Sequence, residues 1–136
     1  MILLLALWLA FGDLGAVKAE PDFEKRSELA LLNADHDMDE ARQAYSGGDQ
    51  NATQAALSDL SESIDTCYDA LQHAHTPPRK SKYYKRAELK VSALIRRLTG
   101  FRDEVSYESR PAVEAVLKKL SDVHDQLIAD IMSKKK

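Results

Sequence analysis

Histidines and a run of acidic residues are the side chains in this sequence best suited to binding a cation or moving a proton. His36 lies in the segment Asn33–Glu40, in which four of the eight residues are acidic. His36 and Glu40 are spaced i, i+4, which places them on one face of a helix. Two ligands from a single helix make a weak site for a divalent cation. We therefore interpret this segment as a solvent-exposed acidic face.

His124 and Met38 offer a second kind of chemistry. Small exported b-type cytochromes are four-helix bundles in which a methionine of the first helix and a histidine of the last helix bind haem, and the pair Met38 and His124 resembles that arrangement. The resemblance implies haem ligation by these two residues. In the predicted helices, however, their levels along the bundle axis differ by roughly 10 Å at 1.5 Å per residue. Because of this mismatch, a haem or divalent-cation carrier that uses His124, Met38 or His36 is only our alternative hypothesis.

Catalytic motifs are missing from the sequence. It contains no Gly-rich phosphate loop, no His-Glu-x-x-His helix, no nucleophile elbow and no Cys-x-x-Cys-His. The Glu-x-x-His motif of bundle metal centres is missing as well. We predict a non-catalytic binding or interaction protein without a cofactor.

Positive charge is concentrated in one segment. Residues 79–102 contain nine Lys/Arg and one acidic residue, whereas residues 20–75 contain three Lys/Arg and thirteen acidic residues. The candidate binding residues Lys82, Arg86, Lys90 and Arg97 form a strip beside an apolar seam, suited to an anionic partner such as lipid headgroups, an envelope polymer or an acidic protein. The interpretation that we favour is that the strip pairs with the acidic helices of the same chain, since those helices supply complementary charges. The net charge of −3 and the export predicted below argue against nucleic acid as the partner.

The first nineteen residues predict a signal peptide. The apolar run Met1–Phe11 is too short to span a bilayer as a helix. Val17-Lys18-Ala19 places small side chains at the positions that a signal peptidase inspects, so we expect cleavage before Glu20. The mature chain, residues 20–136, is then a single exported domain, periplasmic or secreted and typical of a bacterial envelope. It has no segment apolar enough to span a membrane.

Apolar residues at steps of three and four predict four amphipathic helices, about 23–46, 51–75, 81–105 and 109–133. Gly47, Gly48, Pro77 and Pro78 break the pattern between them. Similar helix lengths and short loops indicate an all-α, up-down-up-down antiparallel four-helix bundle. A monomer and a homodimer of helical hairpins would both show these seams. The one cysteine, Cys67, falls on the second seam, and we expect it to be buried and inert.

Overall fold

Helices account for all regular structure in the part of the chain that the computed structural model describes, residues 14–133. This confirms the predicted all-α class. The helices are α1 (Leu14–Lys18), α2 (Phe23–Ser46), α3 (Gln50–His73), α4 (Lys82–Glu104) and α5 (Arg110–Met132), with 3-10 turns at Pro78–Lys80 and Tyr107–Ser109. Each long helix begins and ends within two residues of its predicted bounds.

The helix ends follow from turn and capping residues. Gly48 has a φ of 77°, the left-handed conformation that glycine adopts without strain, and it ends α2. The carboxylate of Asp49 then accepts the Ala52 N–H at 3.0 Å and caps α3. The Ser81 hydroxyl accepts the N–H groups of Tyr83 and Tyr84 in the first turn of α4, which satisfies donors that no helical carbonyl can reach.

The four long helices form two hairpins packed against each other. The α2–α3 hairpin has the most extensive interface, and α4–α5 forms the second hairpin. Across the hairpins, α2 packs against α4 and α3 packs against α5, so that α3 and α4 lie at diagonal corners with few contacts. The basic helix α4 therefore has only one of the two acidic helices, α2, as a full neighbour.

Interhelical polar contacts give the relative direction of the helices. Between α2 and α4 the residue numbers of the pairs rise together: Glu28–Arg86, Asp35–Lys90, Asp39–Arg97 and Arg42–Glu104. Between α3 and the segment formed by α5 and the turn residue before it they also rise together: Gln50–Ser109, Asp65–Lys119 and Tyr68–Asp130. Neighbours from different hairpins thus run parallel to each other.

The predicted seams form the core. The largest fully buried side chains include Met38, Leu60, Ile64, Leu94, Leu98 and Leu120, which come from all four long helices. Burying one such side chain contributes roughly 1.5–3 kcal/mol to the free energy of unfolding. The core is therefore shared among the four helices and is not confined to either hairpin.

The short helix α1 lies within the segment predicted to be a signal peptide. Leu14 and Val17 are each 7% exposed and pack with the core, where α1 contacts α2 and α3. Lys18 forms an ion pair with Glu62 of α3. The apolar run Met1–Phe11, on which the signal prediction depends, lies outside the described residues. Signal-peptide cleavage stays a prediction, and cleavage before Glu20 would remove α1.

We predict that a chain beginning at Leu14 is more stable than a chain beginning at Glu20. Removing α1 exposes the surface that Leu14 and Val17 cover, and we expect a loss of about 2 kcal/mol in the free energy of unfolding. Urea denaturation followed by circular dichroism measures the difference. The control is Leu32→Ser in the longer chain, which alters a side chain that is 64% exposed. Equal urea midpoints for the two chains would show that α1 does not contribute to the folded state.

Candidate functional site

Three of the four predicted binding residues already have carboxylate partners in α2. The pairs are Arg86–Glu28, Lys90–Asp35 with Nζ 2.7 Å from Oδ2, and Arg97–Asp39 with Nη2 2.6 Å from Oδ1. These side chains lie at the α2–α4 boundary because burial of the α4 seam fixes the rotation of that helix about its own axis. The fourth, Lys82, has no carboxylate partner among residues 14–133, and its Nζ lies 5.2 Å from the ring centroid of Tyr83.

A second row of cations lies further out on α4. Lys82, Lys85, Leu89 and Arg96 are spaced by three, four and seven residues, so they share one side of the helix. All four are exposed, and we call them the outer strip. None of its three cations forms an ion pair within the described part of the chain. Arg96 donates to the hydroxyl of Ser92 at 3.3 Å.

The surrounding charges strengthen the positive potential of the outer strip. Arg79 and Lys80 lie exposed in the 3-10 turn just before α4, and the N-terminus of a helix carries about half a positive charge. The diagonal helix α3 contains four acidic residues and no Lys/Arg, whereas α4 contains seven Lys/Arg and three acidic residues. Opposite corners of the bundle therefore carry opposite charge.

A shallow apolar groove lies between α2 and α4. Its volume is about 300 Å³, and it is lined by Lys25, Glu28, Leu29, Leu31, Leu32, Arg86 and Lys90. Leu32 on one rim is 64% exposed, and Leu89 of the outer strip is 66% exposed. The pairs Glu28–Arg86 and Asp35–Lys90 bracket both leucines, so the two lie at one level along the bundle axis. We call the surface formed by this groove, Leu32 and Leu89 the α2–α4 face.

The three candidate ligands of the haem or divalent-cation carrier differ in their surroundings. Met38 is fully buried in the core. His124 is half-buried, with Nε2 2.8 Å from Oε2 of Glu88 on α4. His36 Nε2 is 3.7 Å from Oε1 of Glu40, as their helical spacing predicted. Within residues 14–133 no three His, Cys, Asp or Glu side chains are grouped closely enough to hold a metal ion.

A polar cluster between α2 and α3 corrects the interpretation of Asn33–Glu40 as wholly solvent-exposed. Asn33 and Asp37 are each only 5% exposed. Asn33 Nδ2 lies 2.7 Å from Ser63 Oγ, 2.8 Å from Asp59 Oδ2 and 3.3 Å from Asp37 Oδ2. Asn33 and Asp37 are four residues apart on α2, and Asp59 and Ser63 are four apart on α3. The matching polar spacing on both helices was the signal that the sequence interpretation missed.

Burial and a neighbouring carboxyl group change the acidity of this cluster. Desolvation, together with a hydrogen bond to and repulsion from Asp59, raises the pKa of Asp37 from 3.8 to about 9. The Ser63 hydroxyl lowers this pKa by a smaller amount. At neutral pH the cluster therefore holds a proton that Asp37 would release in the unfolded chain.

Asp37→Asn should stabilise the protein at mildly alkaline pH. Because the folded pKa lies above the unfolded one, the contribution of Asp37 is complete below about pH 4 and is lost as the pH rises toward 9. A single such proton gives a slope of up to about 1.4 kcal/mol per pH unit. Urea midpoints measured from pH 6 to 9 should fall for the wild type and fall less for Asp37→Asn. Asp125→Asn, at an exposed position of α5, is the control, and a wild-type midpoint independent of pH would contradict the expectation.

Cys67 is buried, as predicted from its seam position. Its exposed fraction is 2%, and desolvation raises the pKa of the thiol to about 12. Since the thiolate is the reactive form, the native thiol has neither access to solvent nor the required charge.

We expect the native protein to resist a thiol-specific reagent at pH 8 and the urea-unfolded protein to react fully. Labelling in intermediate urea should then follow the unfolding transition measured by circular dichroism. Rapid stoichiometric labelling of the native protein would overturn the buried placement of Cys67.

Comparison with known proteins leaves the function to be argued from geometry. No protein-family model matches the chain, and no curated protein and no solved structure matches it. No helix of residues 14–133 has the length and apolar character needed to cross a membrane. The described feature with the clearest binding chemistry is the unpaired row of cations on α4.

Proposed function

We propose that this chain is an exported, non-catalytic four-helix-bundle protein that binds an anionic partner through the outer strip of α4. One observation carries the proposal: Lys82, Lys85 and Arg96 have no carboxylate partner within residues 14–133, whereas the inner cations of the same helix do. Of the four residues that the sequence suggested, the proposal retains Lys82 as a direct contact.

The division of α4 into paired and unpaired cations has an energetic basis. A cation that already lies near a carboxylate must give up that attraction before it can serve a new anion, whereas an unpaired cation gives up only hydration. A Lys or Arg near an anionic surface contributes about 1 kcal/mol to binding. The unpaired row, with Arg79 and Lys80 beside it, is therefore the part of α4 best placed to attract a partner.

Long-range electrostatics supports the same assignment. The acidic helix α3 lies diagonally opposite α4, so the charges of the bundle form a dipole whose positive end is the outer strip. Such an asymmetric field orients a molecule with a net charge of −3 toward an anionic partner despite the unfavourable total.

The test compares two variants of the full chain that lose the same charge. Lys82→Gln, Lys85→Gln and Arg96→Gln together remove three unpaired cations, and Arg86→Gln, Lys90→Gln and Arg97→Gln together remove three paired ones. We expect the first variant to bind phosphocellulose at least about tenfold more weakly than the wild type, and the second to lose much less. Binding isotherms at several salt concentrations provide the measurement.

Circular dichroism of both variants checks that the fold is retained. Equal losses for the two variants would show that net charge alone governs binding, and an unchanged affinity of the first variant would remove the outer strip as the site. Wild-type binding that does not weaken with salt would also contradict the proposal, since exposed charges are screened over about 10 Å at 0.1 M ionic strength.

A further inference from the structure

We infer that the anionic partner is the surface of a lipid bilayer, into which Leu32 and Leu89 insert while the cations of the outer strip contact the headgroups. The inference rests on the proposed function, because it identifies the partner of the same surface. It adds two apolar contacts that electrostatic binding alone would not need.

The two leucines are the first observation that points to a bilayer. They are 64% and 66% exposed, although the seam leucines Leu31, Leu94 and Leu98 of the same two helices are buried. They lie at one level of the α2–α4 face, on either side of the Glu28–Arg86 pair. Two side chains that project at the same level can enter a flat interface together, as the apolar residues of interfacial helices do.

The position of the free cations is the second observation. Lys82, Lys85 and Arg96 share the outward side of α4 with Leu89. Their long side chains can reach phosphate groups while the leucine lies deeper, which is the usual arrangement at a membrane surface. The cations of this row can therefore contact the headgroup layer of an anionic leaflet while Leu89 enters its hydrocarbon layer.

The groove between α2 and α4 argues against an acidic helix as the occupant. All three of its cations already have carboxylate partners: Arg86 pairs with Glu28, Lys90 with Asp35 and Lys25 with Glu20. With 3.6 residues per turn, two of the unpaired cations, Lys85 and Arg96, lie on the opposite side of Leu89 from the groove. A helix seated in the groove would meet little free positive charge, whereas a flat surface would contact the leucines and the outer strip together.

The attachment would be peripheral. In the described part of the chain no helix is long and apolar enough to cross a membrane. Insertion of side chains from folded helices requires no unfolding of the bundle, since Leu32 and Leu89 are outside the core.

The experiment measures cosedimentation of the full chain with vesicles of phosphatidylglycerol and phosphatidylcholine, and with vesicles of phosphatidylcholine alone. The second composition measures any attraction of the apolar run Met1–Phe11 to neutral lipid. Leu32→Ser with Leu89→Ser should weaken binding to the anionic vesicles at least about tenfold, and should leave binding to phosphocellulose unchanged. Tyr107→Ser, at a side chain 82% exposed beyond the end of α4, is the control and should change neither.

A fluorescent reporter gives an independent readout of insertion. Trp8 is the only tryptophan of the sequence, so Trp8→Phe combined with Leu89→Trp places a single indole in the outer strip. Its emission should shift to shorter wavelength with anionic vesicles and stay unchanged with phosphocellulose. An emission unchanged by vesicles that bind the protein would overturn insertion.

The outcomes separate this inference from the proposed function. Binding to phosphocellulose without binding to anionic vesicles would overturn the bilayer as partner and leave the anionic site in place. Vesicle binding that does not respond to the two leucine substitutions would overturn their insertion. Selective binding of an acidic amphipathic peptide in place of vesicles would assign the α2–α4 face to a protein partner. Binding to none of these would overturn both proposals.

Discussion

Burial of the apolar seams fixes the rotation of each long helix about its own axis, and the placement of every charged group depends on that rotation. On α4 the seam residues Val91, Leu94 and Leu98 are fully buried. With these facing inward, helical geometry directs Arg86, Lys90 and Arg97 to the α2 boundary and leaves Lys82, Lys85 and Arg96 outward. One packing constraint thus separates structural cations from cations available for binding.

The ion pairs between α2 and α4 contribute more to the choice of neighbour than to stability. Each involves side chains that are partly exposed, and exposed pairs are typically worth about 0–1 kcal/mol. Their arrangement still favours α2 as the neighbour on that side of α4, because α2 presents Glu28, Asp35 and Asp39 at the levels of the three cations. We infer that the acidic composition of α2 assigns the basic helix to its corner of the bundle.

The features predicted from the sequence are those that depend on local spacing. The helix bounds and the burial of Cys67 follow from residues within one or two turns of each other. Which helix lies beside which depends on contacts between distant segments, and the heptad pattern of one helix is the same for a parallel and an antiparallel neighbour. For that reason the sequence indicated that Arg86, Lys90 and Arg97 pair with the acidic helices but not that all three pair with α2.

The polar cluster was missed for a related reason. Asp37 lies among acidic residues and looks exposed in sequence, yet it faces α3, where Ser63 and Asp59 occupy matching positions. A single helix shows only that a polar residue lies near the edge of the seam, and the second helix decides whether water reaches it. Such boundary positions are the least predictable part of a helical hairpin.

Helix α2 connects the buried cluster to the proposed binding surface. Leu32 and Asn33 are consecutive residues, and successive side chains on a helix point about 100° apart. Asn33 is held against α3 by Ser63 and Asp59, while Leu32 projects beside α4. Hydrogen bonds on one side of α2 therefore hold the helix at a fixed depth and rotation, and these determine how far Leu32 stands out from the α2–α4 face. In this arrangement the interior polar contacts position an exposed apolar side chain, which explains how a small bundle with one continuous core can present a defined surface to a partner.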